Sequence, residues 1–118
     1  MPVHDKFPFI ARIMNFFSLF FGRKHDDFAG SLATEFINKC PPAFVYNLNN
    51  RKASNKFNRT VNRLYTQAHA YYVQNKLNLY TKARIGNIFM WSLKEAGYDE
   101  GLIEELTNGI LLALGGKK

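Results

Sequence analysis

Apolar side chains recur every three or four residues through the segment from residue 53 to residue 75. The residues that carry this pattern are Phe57, Val61, Leu64, Ala68 and Tyr71 or Tyr72. Positions three and four apart lie on one face of an α-helix, whereas a half-buried strand alternates with a period of two. The spacing therefore predicts a long amphipathic helix, capped by Ser54, against which the rest of the chain must pack.

Start and stop signals divide the remaining sequence into four more predicted helices, over residues 7–21, 27–39, 79–96 and 99–114. Prolines end the second of these four helices and a glycine ends the third, at Pro41, Pro42 and Gly97. The predicted cap of the 27–39 helix is Asp26 or Asp27. The predicted cap of the 79–96 helix is Asn78 or Thr81, and that of the 99–114 helix is Asp99. Between the prolines and the long helix, Ala43 to Tyr46 are predicted to form a short extended run. The chain is thus expected to be all-α, a compact bundle of about five helices.

The length of 118 residues corresponds to one domain. We therefore expect a single helical domain over residues 1–118, with a frayed tail at residues 115–118.

Six of the eleven phenylalanines lie between residues 7 and 21. A helix here would be about 22 Å long, shorter than the roughly 30 Å hydrocarbon core, and it would contain Arg12, so a transmembrane span is not expected. We expect an aromatic-rich amphipathic helix that packs on the core. An in-plane membrane anchor formed by residues 7–24, or a dimer interface, is the alternative. No targeting pattern is recognised, which makes the cytoplasm the expected location.

The formal net charge of +7 is concentrated in the middle of the chain. Residues 36–94 contain ten bases and no acid, and residues 95–118 contain five acids and two bases. Four of the bases follow the spacing i, i+4, i+7 and i+11 and share a sector of about 60° on the predicted helix. These are Lys52, Lys56, Arg59 and Arg63. Like charges at this spacing repel, so an anion is expected beside them, supplied either by a partner or by the acidic 99–114 helix.

Arg84 and Trp91 are predicted to lie on the 79–96 helix, on the side away from its apolar face. An outward tryptophan beside an arginine could stack on a base or anchor a protein partner. The structural alternative is that Trp91 packs under the N-terminal helix or the 41–50 loop.

Sequence patterns of known catalytic and cofactor sites are missing from the chain. The three histidines are far apart and do not have metal-ligand spacing. Cys40 is the single cysteine, so we expect no intrachain disulfide, and we expect this thiol to be a small, partly buried hydrophobic group. The sequence predicts no catalytic residues, no cofactor, no metal and no small-molecule substrate.

These features predict a small non-enzymatic helical binding or adaptor protein whose basic face on the 53–75 helix binds an anionic partner. The partner is expected to be another protein or a second copy of the chain. A nucleic-acid-binding module, or a peripheral membrane protein that uses residues 7–24, is the alternative. The candidate contact residues are Lys52, Lys56, Arg59, Arg63, Arg84 and Trp91. Sequence alone leaves open whether the bases are exposed or covered by the acidic 99–114 helix.

Overall fold

Five α-helices account for most of residues 24–115, the part of the chain that the structure, a computed structural model, describes. They are α1 (Lys24–Lys39), α2 (Pro42–Val45), α3 (Arg51–Gln74), α4 (Leu79–Ala96) and α5 (Glu100–Ala113). No strand occurs among these residues, and the predicted all-α bundle is confirmed. The predicted 7–21 helix and residues 116–118 of the predicted tail lie outside the described residues.

The four longer helices pack around one core. α1 packs against α4 and α3, and α5 packs against the same two helices. The core is built from the apolar stripes predicted by helical spacing, and it includes Leu32, Leu64, Phe89 and Ile110, all with no solvent exposure. α3 contributes few residues to this core for its length. Of its 24 residues, three are buried, namely Thr60, Leu64 and Ala68. Most of the surface of this long helix is therefore left to solvent.

Polar side chains cap the N-termini of α3, α4 and α5. Asn50 caps α3 by accepting a hydrogen bond of 2.8 Å from the backbone N–H of Ala53. In the same way Asn78 caps α4 and Asp99 caps α5. The predictions for Asn78 and Asp99 are confirmed, whereas the cap predicted at Ser54 is wrong because α3 begins three residues earlier. Each side-chain oxygen accepts from an N–H group that has no partner within its helix.

The start of α1 also differs from its prediction. The described part of the helix runs from Lys24, so Asp26 already lies within α1 and does not cap it. The carboxylate of Asp26 is 1% exposed and is held by a side chain from α4.

The short apolar run after the prolines is helical, not extended as the sequence predicted. Residues Pro42–Val45 form the single turn of α2, in which the N–H of Tyr46 donates to the carbonyl of Pro42 at 3.0 Å. Proline fixes its φ at a helical value and has no N–H to leave unpaired, so it suits the first position of a helix. This turn lies just before α3 and brings Phe44 next to its basic residues.

Candidate functional site

Four basic side chains form an exposed face along the N-terminal half of α3. We call this the basic face, and its members are Lys52, Lys56, Arg59 and Arg63, all classed as exposed. The buried side of the same helix carries Thr60 and Leu64, which pack towards the bundle. α3 thus has one dry side and one uniformly positive side, as its sequence spacing predicts.

The acids of α5 do not neutralise this face. Glu100 lies 3.9 Å from Lys94 of α4, and Glu105 acts on Tyr65, whose pKa is raised mainly by burial and further by that carboxylate. Within residues 24–115, the ion pair that reaches the basic face comes from α1, where Glu35 lies 3.2 Å from the Nε of Arg63. Arg63 stays 62% exposed in this pair, so the contact is weakly stabilising at most. The alternative in which the 99–114 helix covers the stripe is therefore wrong.

The positive surface continues from α3 towards the end of α1. The Nζ of Lys56 lies 5.1 Å from the centre of the Phe44 ring, a cation–π contact that orients this lysine over α2. Lys56 and the exposed Lys39 both lie close enough to Cys40 to oppose the rise of its pKa. The surface therefore joins two helices around the one-turn α2.

Cys40 itself is not part of a reactive site. Its side chain has no solvent exposure, and burial raises the pKa of the thiol despite the hydrogen bond from Thr60 and the two nearby lysines. A protonated, buried thiol is a poor nucleophile and a poor metal ligand. Cys40 packs in the core as the small hydrophobic group that the sequence predicts, but it is fully rather than partly buried.

Exposed amides alternate with the bases on α3. Asn55, Asn58 and Asn62 are all exposed and lie between or beside members of the basic face along the helix. Asparagine both donates and accepts hydrogen bonds, whereas lysine and arginine only donate. This part of α3 therefore combines a positive potential with neutral amides that could hydrogen-bond to both donors and acceptors of a partner.

Arg84 does not lie on an exposed face, and its predicted outward orientation is wrong. Its Nε and Nη2 donate to the two carboxylate oxygens of Asp26 at 2.8 and 3.0 Å, and its side chain is 11% exposed. This hydrogen bond raises the pKa of Arg84, and Tyr80 contributes in the same direction. The guanidinium joins α4 to α1 inside the fold, so we assign it a structural role.

Trp91 points away from the core, as its helical position predicts. The side chain is 49% exposed, and the Nζ of Lys94 lies 5.1 Å from the centre of the indole ring. A half-exposed tryptophan covered on one side by a lysine can serve as a contact for a partner. No described contact joins Trp91 to the basic face, so these are two separate surface features.

Sequence reasoning missed the acidic partners of Arg63 and Arg84 and the hydrogen-bond partner of His25. Asp26 and Arg84 are separated by 58 positions in the sequence. His25 is hydrogen-bonded through Nδ1 to the hydroxyl of Tyr71 on α3, at 2.5 Å. Such long-range pairs leave no local pattern, because nothing in the spacing along one helix indicates which face of another helix lies opposite.

The described residues provide neither a metal cluster nor a membrane span. No group of three or more His, Cys, Asp or Glu side chains within residues 24–115 is placed to hold a metal ion. Every helix in the same range is too short or too polar to cross a bilayer.

Comparisons with known proteins do not add a relative. No family model, no curated protein and no solved structure matches this chain.

Proposed function

We propose that this chain is a non-enzymatic binding protein that uses the basic face of α3 to bind an anionic partner, namely an acidic surface of another protein. The observation that carries the proposal is the exposure of all four bases, of which Arg63 alone has an ion pair within residues 24–115. A cytoplasmic location is part of the same proposal and rests on the single, buried cysteine.

The arrangement of charge on α3 is unfavourable for an isolated helix. Lys52 and Lys56 are four residues apart, and so are Arg59 and Arg63, and each such like-charge pair costs a few tenths of a kcal/mol. The first turn of α3 has no acidic residue, and the positive end of the helix dipole adds to the repulsion. An acidic partner would relieve both the repulsion among the bases and their repulsion by the helix dipole. The side chains already face solvent, so they could bind this partner without rearrangement.

A nucleic acid is the second candidate, and the exposed asparagines favour it. Asparagine can pair with the edge of adenine and arginine with the edge of guanine, while lysine contacts phosphate. Asn55, Asn58 and Asn62 accompany the bases along a helix of 24 residues, or about 36 Å. A helix with this surface has the size and chemistry to enter a major groove.

Titrations against two polyanions at several salt concentrations test the proposal. The full chain is titrated with poly-glutamate, which stands for an acidic protein surface, and with a short DNA duplex. Four phosphate contacts predict a slope of log affinity against log salt of about −3.6 on the duplex, or about −2.8 on a single strand. Neutralising two exposed members of the face with Lys52→Gln and Arg59→Gln should reduce the duplex slope by about half.

The matched control is the double variant Lys24→Gln/Lys76→Gln, which removes the same charge from exposed positions outside the basic face. It should change either affinity much less than the α3 variant does. Poly-glutamate binding that depends on Lys52 and Arg59 supports the protein partner, and tighter, steeply salt-dependent duplex binding supports the second candidate. Equal losses from both variants would show that bulk charge alone is responsible. The absence of binding to either probe at low salt would contradict the proposal.

A further inference from the structure

Large apolar side chains are exposed where α3 ends and α4 begins. We call this surface the apolar end, formed by Tyr72 and Val73 of α3 and by Leu79 and Tyr80 of α4, which are 37%, 68%, 83% and 59% exposed. Beside it, residues 72–77 line a surface depression of about 670 Å³. Val73 lies at the end of α3 and Leu79 at the start of α4, on either side of one connection, and aliphatic side chains this exposed indicate a contact surface.

The first turn of α1 lies at this same end of the bundle. His25 is hydrogen-bonded to the hydroxyl of Tyr71, the residue before Tyr72, and the Phe28 ring stacks on the Tyr71 ring with 3.9 Å between the centroids. Asp26 holds Arg84, one turn beyond Tyr80 on α4. Chain that enters α1 at Lys24 therefore arrives beside the apolar end.

Residues 7–21 precede that entry point by a very short connection. Gly22 and Arg23 separate Phe21 from Lys24, so an extended chain spans at most about 11 Å between these two residues. The segment is rich in apolar side chains, and four of its last six residues are Phe16, Phe17, Phe20 and Phe21. Its effective concentration at the apolar end is high, because the tether is short.

We propose that residues 7–21 of the same chain dock on the apolar end and cover Val73 and Leu79. The proposal is independent of anion binding by α3, since it uses a different surface and a different kind of contact. Docking there would remove the exposed Val73 and Leu79 from water, beside the depression lined by residues 72–77. A second copy of the chain or a membrane surface would be the competing occupant.

Trypsin cleavage of the full chain tests this docking, because Arg12 lies inside the segment and Lys6 lies just before it. Mass spectrometry gives the rate of cleavage after each residue in the same sample. Docking predicts that the Arg12–Ile13 bond is cleaved much more slowly than the Lys6–Phe7 bond. The double variant Val73→Gln/Leu79→Gln should accelerate cleavage after Arg12 about a hundredfold, since burial of each aliphatic side chain is worth about a factor of ten.

The control is Tyr46→Gln, which removes one exposed apolar side chain beside α2 and matches the single variant Leu79→Gln. It should leave the rate after Arg12 unchanged, and circular dichroism should show that both variants remain helical. Leu79→Gln alone, at the most exposed of these positions, is a milder test that should give about a tenfold acceleration.

Three results would overturn the proposal. Cleavage after Arg12 as fast as after Lys6 in the unmodified chain would show that the segment is not docked. Protection that depends on protein concentration would assign the apolar end to a second copy. Protection that appears only with vesicles containing anionic lipid would assign the segment to a membrane surface.

Discussion

Replacing Arg84 with methionine should destabilise the fold and leave anion binding intact. Arg84 holds Asp26 through two hydrogen bonds of 2.8 and 3.0 Å, and the Asp26 carboxylate is 1% exposed. Methionine keeps much of the aliphatic volume of arginine but leaves this carboxylate buried without its cation. Removing one partner of a buried ion pair costs about 3–5 kcal/mol, because the remaining charge cannot be solvated.

A loss of this size is a large share of the total stability of such a domain. Folded domains are stable by about 5–15 kcal/mol, and at roughly 4 °C per kcal/mol for a chain of this length Arg84→Met should lower Tm by about 12–20 °C. Asp26→Val should cost less, because the guanidinium is nearer to solvent than the carboxylate is. The double variant Asp26→Val/Arg84→Met leaves no buried charge and should recover most of the loss.

Urea unfolding followed by far-ultraviolet circular dichroism gives the free energies for the wild type, both single variants and the double variant. Losses that add to within about 0.5 kcal/mol would refute the reasoning, because independent sites add and a coupled buried pair does not. Duplex titration of Arg84→Met, at a temperature where it is folded, supplies a second readout. An unchanged salt slope is expected, and a reduced slope would return Arg84 to the anion-binding surface.

Three further predictions concern the core, a helix end and the thiol. Leu64→Ala and Phe89→Ala should each cost about 2–5 kcal/mol in urea unfolding, since both side chains have no solvent exposure. Gly97 ends α4 with φ +97° and has open space around its missing Cβ, so Gly97→Ala should cost about 1–2 kcal/mol through backbone strain alone, and Gly97→Asn should cost less. Cys40 should react with iodoacetamide far more slowly in the folded chain than in urea, because its side chain has no solvent exposure and burial raises the pKa of its thiol. Rapid native-state alkylation at neutral pH would contradict that environment.

The sequence by itself determined the helices and most of the core. Apolar spacing along α3 and α4 identified Leu64 and Phe89 as core residues, and both are fully buried. Asn78 and Asp99 were recognisable as caps, because a cap bonds to a backbone N–H only three residues away. These features depend on interactions within one helix turn, which the order of residues specifies directly.

The basic face is an intermediate case. The spacing of Lys52, Lys56, Arg59 and Arg63 fixed that they share one side of a helix, because that follows from 3.6 residues per turn. It did not fix whether α5 would cover them. The tertiary structure decided this by packing α5 against the part of α3 that carries Tyr65 and His69, and by placing Glu100 near Lys94.

Tertiary structure alone decided what Arg84 does. On its own helix Arg84 occupies the side away from the predicted apolar stripe, which indicates an exposed position when α4 is considered in isolation. The packing of α1 on α4 places Asp26 opposite it, and desolvation of both groups then makes their mutual hydrogen bonds the stable arrangement. Contacts of this kind join residues 58 positions apart, and their energy depends on burial that exists only after the helices have assembled.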